Sequence, residues 1–141
     1  KFETKLIVDD LEWVEYLIRH KSWWDTVDFL AIHCLGHVYR SYPKETTGVL
    51  MRYRDDGNMW VNRSAILAQA KSKGDTNPQL LDILLLPHLI STEFFIRKAI
   101  GWALREYARC EPDWVRVWVA RHRDLGTLCK LSEREAMKHL H

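Results

Sequence analysis

The chain has no apolar run of the 18 or more residues that a membrane span needs; its longest candidate, 80–90, is interrupted by Asp82, Pro87 and His88. A soluble protein with no membrane partner is therefore expected. The signatures of many common enzymes are also missing, since no G-x-S-x-G, H-E-x-x-H, P-loop or glycine-rich dinucleotide turn occurs. Cysteine is scarce and odd in number: Cys34, Cys110 and Cys129 show no C-x-x-C spacing, which argues against a disulfide framework or zinc site and for a reducing cytoplasm. His33 and His37 have the i, i+4 spacing of a metal pair but no obvious third ligand, so neither metal nor cofactor is expected. The start at Lys1 carries no initiator Met and no signal-like segment, so the chain reads as a fragment whose true N-terminus lies elsewhere.

What is present is a single domain's worth of chain, 1–141, with 47% hydrophobic and 28% charged residues. Seven Trp exceed what packing alone needs, so some of the indoles are expected to work at a surface. The net charge of +2 is unevenly spread. Residues 1–50 hold 6 Lys/Arg against 8 Asp/Glu, and 51–141 hold 15 against 11, so the basic surface lies in the second part.

No convincing period-2 strand pattern occurs, and helix signals follow one another throughout. Asp9 or Asp10 caps a first helix to His20, and Ser22 with Asp25 resembles a capping box opening a second. Pro43 starts a third to about Arg54. The turn at 55–58 precedes a fourth to about Lys73, and Asn77-Pro78 opens a fifth ending near Ile90. Ser91 caps a sixth through Cys110, Pro112 begins a seventh, and Ser132 with Glu135 forms another capping box. Helices of alternating length with short connections indicate an all-α fold, a HEAT-like α-solenoid of stacked antiparallel helix pairs. A compact helical bundle is the alternative.

Two helices show their faces. In the sixth, Ile96, Ile100, Ala103, Leu104 and Tyr107 form the core stripe, while Lys98, Trp102, Arg105 and Arg109 fall on the far side. In the second, Trp23, Val27, Leu30, Cys34 and Val38 make one apolar stripe, which makes Trp23 structural; Trp24 and Asp28, one turn apart, flank it. Trp24, Asp28 and Trp102 could share a pocket. An aromatic within a basic stripe, with a second aromatic and a lone carboxylate, suits a positively charged group on a polyanion, which points to DNA. Arg63, Lys71, Lys73, Lys98, Arg105 and Arg109 could line one groove for phosphates, or could be solvated helix faces. Trp102 could instead pack on a neighbouring repeat, and Asp28 could be the structural ion-pair partner of an Arg on the adjacent helix. A single carboxylate would suffice for a glycosidic bond whose leaving group departs neutral, as a cationic alkylated purine does.

The strings KSWWDTVD at 21–28, NMWVNRSAIL at 58–67, EFFIRKAIGWALREY at 93–107 and LSEREA at 131–136 resemble the AlkD-type DNA alkylation repair glycosylases, over about 11–141. The resemblance implies a HEAT-like solenoid holding double-stranded DNA with alkylated bases on a concave basic surface, and excision of bases made cationic by N3 or N7 alkylation. It implies that Trp24, Trp102 and Asp28 contact the lesion's deoxyribose, the carboxylate stabilising an oxocarbenium-like sugar and placing water, without the base being flipped into a pocket. It also implies that Arg63, Lys71 and Arg105 bind phosphates. Family members carry roughly another hundred residues before this part, forming the first repeats. The alternatives are a non-catalytic binder of DNA structure and a protein-interaction scaffold, with protein partners unknown. The glycosylase reading expects the acid and both indoles to meet in a water-accessible hollow; an acid locked in a buried ion pair, or indoles turned into separate interiors, would take away its physical footing.

Overall fold

The computed structural model describes residues 5–140; His141, the last residue of the resemblance, lies outside them. The described residues are helical with no strand, an all-α solenoid-like fold. Helix α1 is Leu11–His20. Helix α2 (Trp24–Phe29) continues through a π-helical stretch, Leu30–Leu35, into α3 (Gly36–Ser41). Then come α4 (Pro43–Arg54), α5 (Met59–Leu67), α6 (Pro78–Leu85), α7 (Phe94–Ala108), α8 (Pro112–Asp124) and α9 (Lys130–Ala136).

The prolines and asparagines act as expected. Pro43, Pro78 and Pro112 occupy first-turn positions, where a missing N–H costs nothing, and the Asn58 and Asn77 side chains accept from the first free N–H groups of α5 and α6. Pro87 cannot continue α6, which ends at Leu85 and passes into a 3-10 turn, Leu86–His88, short of the expected Ile90. Helix α5 likewise stops at Leu67 rather than near Lys73. The chain leaves it by successive tight turns, and Lys73 takes φ 51°.

Two expected capping boxes are used differently. Ser22 Oγ donates backwards to the carbonyls of Ile18 and Arg19, so it closes α1 instead of opening α2. Ser132 lies inside α9: its N–H donates to Cys129 Sγ, which serves as the cap, and its Oγ donates to the Arg97 carbonyl of α7. Ser22 found its acceptors one turn back and Ser132 found its own on another helix, which local spacing cannot reveal.

Two hydrophobic clusters lie in series. Val14, Ile18, Leu35, Leu50 and Tyr53 belong to the first; Ile96, Ile100, Leu104, Val115 and Trp118 belong to the second. Helix α5 serves both, giving Val61 and Ala65 to one and Ile66 and Leu67 to the other. A helix apolar on two sides between two cores is what stacked repeats require. Glycines allow the closest approaches: a Cβ on Gly36 would stand 2.5 Å from the Ala68 carbonyl oxygen, and one on Gly101 2.5 Å from Glu135 Cβ.

Candidate functional site

Every residue of α5 from Val61 to Leu67 is buried, including the polar run Asn62, Arg63 and Ser64. Burying such groups costs several kcal/mol, of order 2–7 for an uncompensated amide or hydroxyl, so each needs a partner. Asn62 Nδ2 donates to the carbonyls of Tyr53, Arg54 and Asp56, which ties α5 to the end of α4, and Ser64 Oγ donates to Trp60 O.

Arg63 is the centre of the site. Its Nε donates to Asp28 Oδ1 at 2.8 Å and its Nη2 to Asp28 Oδ2 at 2.9 Å, a two-pronged pair between α5 and α2. The third edge, Nη1, donates to the Phe95 carbonyl on α7. The guanidinium carbon lies 5.6 Å from the Phe95 ring centre and 6.0 Å from that of Trp102, within cation–π range. Trp60 packs on Phe95 with ring centres 5.0 Å apart. The side chains of Arg63 and Asp28 are only 6% and 9% exposed.

This placement corrects two expectations. Arg63 is not in an open phosphate groove; it is spent on the carboxylate and on α7. Asp28, expected in a wet hollow, is the ion-pair partner of an Arg on a neighbouring helix, the other reading its spacing allowed. Burial explains both, because a carboxylate facing the junction of three helices is stable there only with a cation beside it.

The indoles divide. Trp102 is half-buried, packs against the second core and faces the Arg63 guanidinium. Trp24 opens α2 one turn before Asp28 and is 45% exposed. Trp23, read as structural, is 58% exposed, because its extended backbone (φ −134°, ψ 147°) precedes the helix and takes it out of the apolar stripe. Val27, Leu30, Cys34 and Val38 remain buried as expected. The π-helical stretch starts two residues after Asp28, so the local twist of α2 changes beside the ion pair.

The remaining basic residues are spread over two settings. Lys98 and Arg105 both reach Glu135 on α9, at 3.3 and 2.8 Å, because the face of α7 away from the core is covered in part by α9 at Gly101. Burial alone would raise the Glu135 carboxyl, but the hydrogen bonds from Arg105 and Lys98 outweigh it and hold it below the usual range. Lys71 and Arg109 are exposed and, with Lys73 and Glu106, line a concavity of about 310 Å³. Arg109 is 3.7 Å from Glu106. Sequence reasoning missed Phe95, Trp60 and Glu135. An Arg between buried helix positions was a signal for a partner, but the carbonyl of Phe95 carries none.

A stack of helices that gathers a carboxylate, a guanidinium and an indole face where α2, α5 and α7 meet is a helical-repeat protein with a buried polar centre at that junction. The chain belongs to the DNA alkylation repair enzyme family, whose profile matches residues 1–140. This agrees with the resemblance read from its motifs. Among solved structures it is similar to one titled "Predicted DNA alkylation repair enzyme from Enterococcus faecalis", at 28% identity and a TM-score of 0.84, over 98% of this chain. The chain spans 62% of the length of that structure. No curated protein matches it. No helix among the described residues is long and apolar enough to cross a membrane.

Proposed function

We propose that this chain carries the catalytic part of a DNA repair glycosylase that hydrolyses the N-glycosidic bond of cationic N3- or N7-alkylated purines in duplex DNA. What supports it is the match to the DNA alkylation repair family over residues 1–140, beside an acid and an indole, Asp28 and Trp102, held at one guanidinium, Arg63. The burial of Asp28 in that pair is the feature that stands against it. A cationic purine leaves as a neutral base and needs no general acid, so the reaction asks only for stabilisation of the positive charge left on the sugar. Asp28 supplies the negative end and Arg63 fixes its orientation. Each carboxylate oxygen has a second lone pair beyond the one given to Arg63, and the reading requires that DNA binding bring the water that attacks the sugar to it. The faces of Trp24 and Trp102 add attraction for the cationic centre.

Duplex DNA is held through phosphates by the exposed Lys71 and Arg109, with Lys98 and Arg105 contributing N–H groups not engaged by Glu135. Replacing Lys71 and Arg109 by Ala is expected to weaken binding and to lower the salt slope by roughly 0.9 per lost phosphate contact.

The test is release of 7-methylguanine from methylated duplex DNA. Release above the spontaneous rate supports the reading. None above it, by the chain and by any longer polypeptide carrying it, rejects the enzyme. One observation favours a second reading, a non-catalytic binder of DNA structure: both oxygens of Asp28 are already engaged by Arg63. That reading expects salt-sensitive binding without base release.

A further inference from the structure

We propose that a cavity on another face of the molecule binds an aliphatic chain ending in a carboxylate. It lies where the 3-10 turn after α6, the end of α8 and the 125–129 connection to α9 meet, and encloses about 550 Å³, within the range of small-molecule sites. Leu86, Leu89, Leu125 and Leu128 form its walls, with Arg97 and His122 the charged and polar members. At its mouth Ile90 is 88% exposed, Leu125 66% and Leu86 43%. Single apolar residues in water are ordinary; several around one concavity make a patch that asks for an apolar occupant.

The head group follows from charge. Arg97 is tied through Nε to the Ser91 carbonyl at 2.8 Å, and its two terminal nitrogens have no partner among the described residues. None of the residues lining the cavity carries a carboxylate, so the unmatched cation asks for an anion from outside, which a carboxylate meets in two-pronged geometry. His122 is buried, its Nδ1 stands 3.3 Å from Thr127 Oγ1, and burial holds its imidazole below the usual range, so Arg97 supplies the positive charge at neutral pH. The lining has no Phe, Tyr or Trp, which suits a flexible chain better than a flat ring. Arg97 and Trp102 are five residues apart, about 140° around α7, so this cavity opens away from the Asp28 site and the inference stands independently of the DNA reading.

The test is a titration with octanoate and decanoate below their micelle concentrations, with decanol and decyltrimethylammonium alongside, followed by amide proton–nitrogen correlation spectra. Saturable shifts confined to 86–91 and 122–129 are expected, with affinity rising up to about fourfold per added CH₂. Decanol should bind at least tenfold more weakly than decanoate, and the ammonium compound not at all. Arg97→Met should abolish the preference for decanoate over decanol. Because Arg97 also ties Ser91, Leu125→Asp on the exposed rim is the second variant, expected to weaken decanoate at least tenfold with the rest of the spectrum unchanged. Absence of saturable shifts with millimolar decanoate, equal binding of decanol or the ammonium compound, or binding of acetyl-Leu-Leu where decanoate does not bind, would each overturn the proposal.

Discussion

Two of the acid–base clusters that join helices of this protein differ in where they sit. Asp28 and Arg63 meet between α2 and α5, side chains 9% and 6% exposed, beneath the rings of Phe95 and Trp102. Glu135 meets Arg105 and Lys98 between α9 and α7, with exposures of 16%, 20% and 39%. The chemistry of the charges is the same. The second cluster is partly wet and offers water as a substitute partner, so it works as a staple between helices. The first has no such substitute, and aromatic faces surround it; that environment makes it the candidate site. Charge alone did not distinguish them, whereas burial and neighbours did.

The sharpest way to break the comparison is Asp28→Asn. Removing one member of a buried pair should cost about 3–5 kcal/mol in urea unfolding, since Arg63 is left charged and unmatched. Base release should fall by roughly 10²-fold or more in the protein that remains folded. The double variant Asp28→Leu with Arg63→Met separates the two effects: stability should return to within about 1–2 kcal/mol of the parent while base release stays lost. Recovery of base release in that variant would move the chemistry away from this pair.

Gly101→Ala acts on the other cluster. Its Cβ would meet Glu135 Cβ at 2.5 Å and the Ser132 carbonyl oxygen at 3.0 Å, so α9 must shift at a cost of about 1–3 kcal/mol in thermal or urea unfolding. Glu135→Gln should cost about 1 kcal/mol or less and leave base release unchanged. A loss of activity as large as that of Asp28→Asn would mean the two clusters are one functional unit. Trp24→Ala, at an exposed helix start, should change stability by less than about 1 kcal/mol yet lower base release at least tenfold, read from single-turnover rates.

The smallest effect is in pH. Burial holds His88 and His122 below the ordinary imidazole range, so their folded pKa values lie under the unfolded ones. Their contribution is present above about pH 6.5 and is lost as pH falls through the folded values. The melting temperature should therefore drop between pH 7.5 and 5.5, and His88→Gln should reduce that drop. A second loss is expected below about pH 4.5. The hydrogen bond from Arg19 lowers the Asp56 carboxyl; for Glu15, burial is outweighed by the Arg19 and Arg52 hydrogen bonds; and for Glu135, burial is outweighed by those of Arg105 and Lys98.

Much of the helix plan was legible before any coordinates. Pro43, Pro78 and Pro112 marked helix starts because a ring without an N–H is tolerated only there, and the stripe from Ile96 to Tyr107 marked the buried side of α7 because its spacing matches the helical turn. Trp23 and Ser22 were misread for one reason: a reading of helical spacing assumes the helix already runs, and α2 begins only at Trp24. The site was legible as a set of residue types but not as an arrangement. Asp28 allowed two fates, and the choice depended on Arg63, thirty-five positions away and itself expected elsewhere.

What the amino-acid order determined by itself was local: which segments coil, where they stop, and which face of each is apolar, since these follow from backbone sterics and spacing within a few turns. Only the tertiary structure decided which charges neutralise one another. Folding brings α2, α5 and α7 to one junction, and whether an acid there meets water or a guanidinium depends on how three separate helices pack.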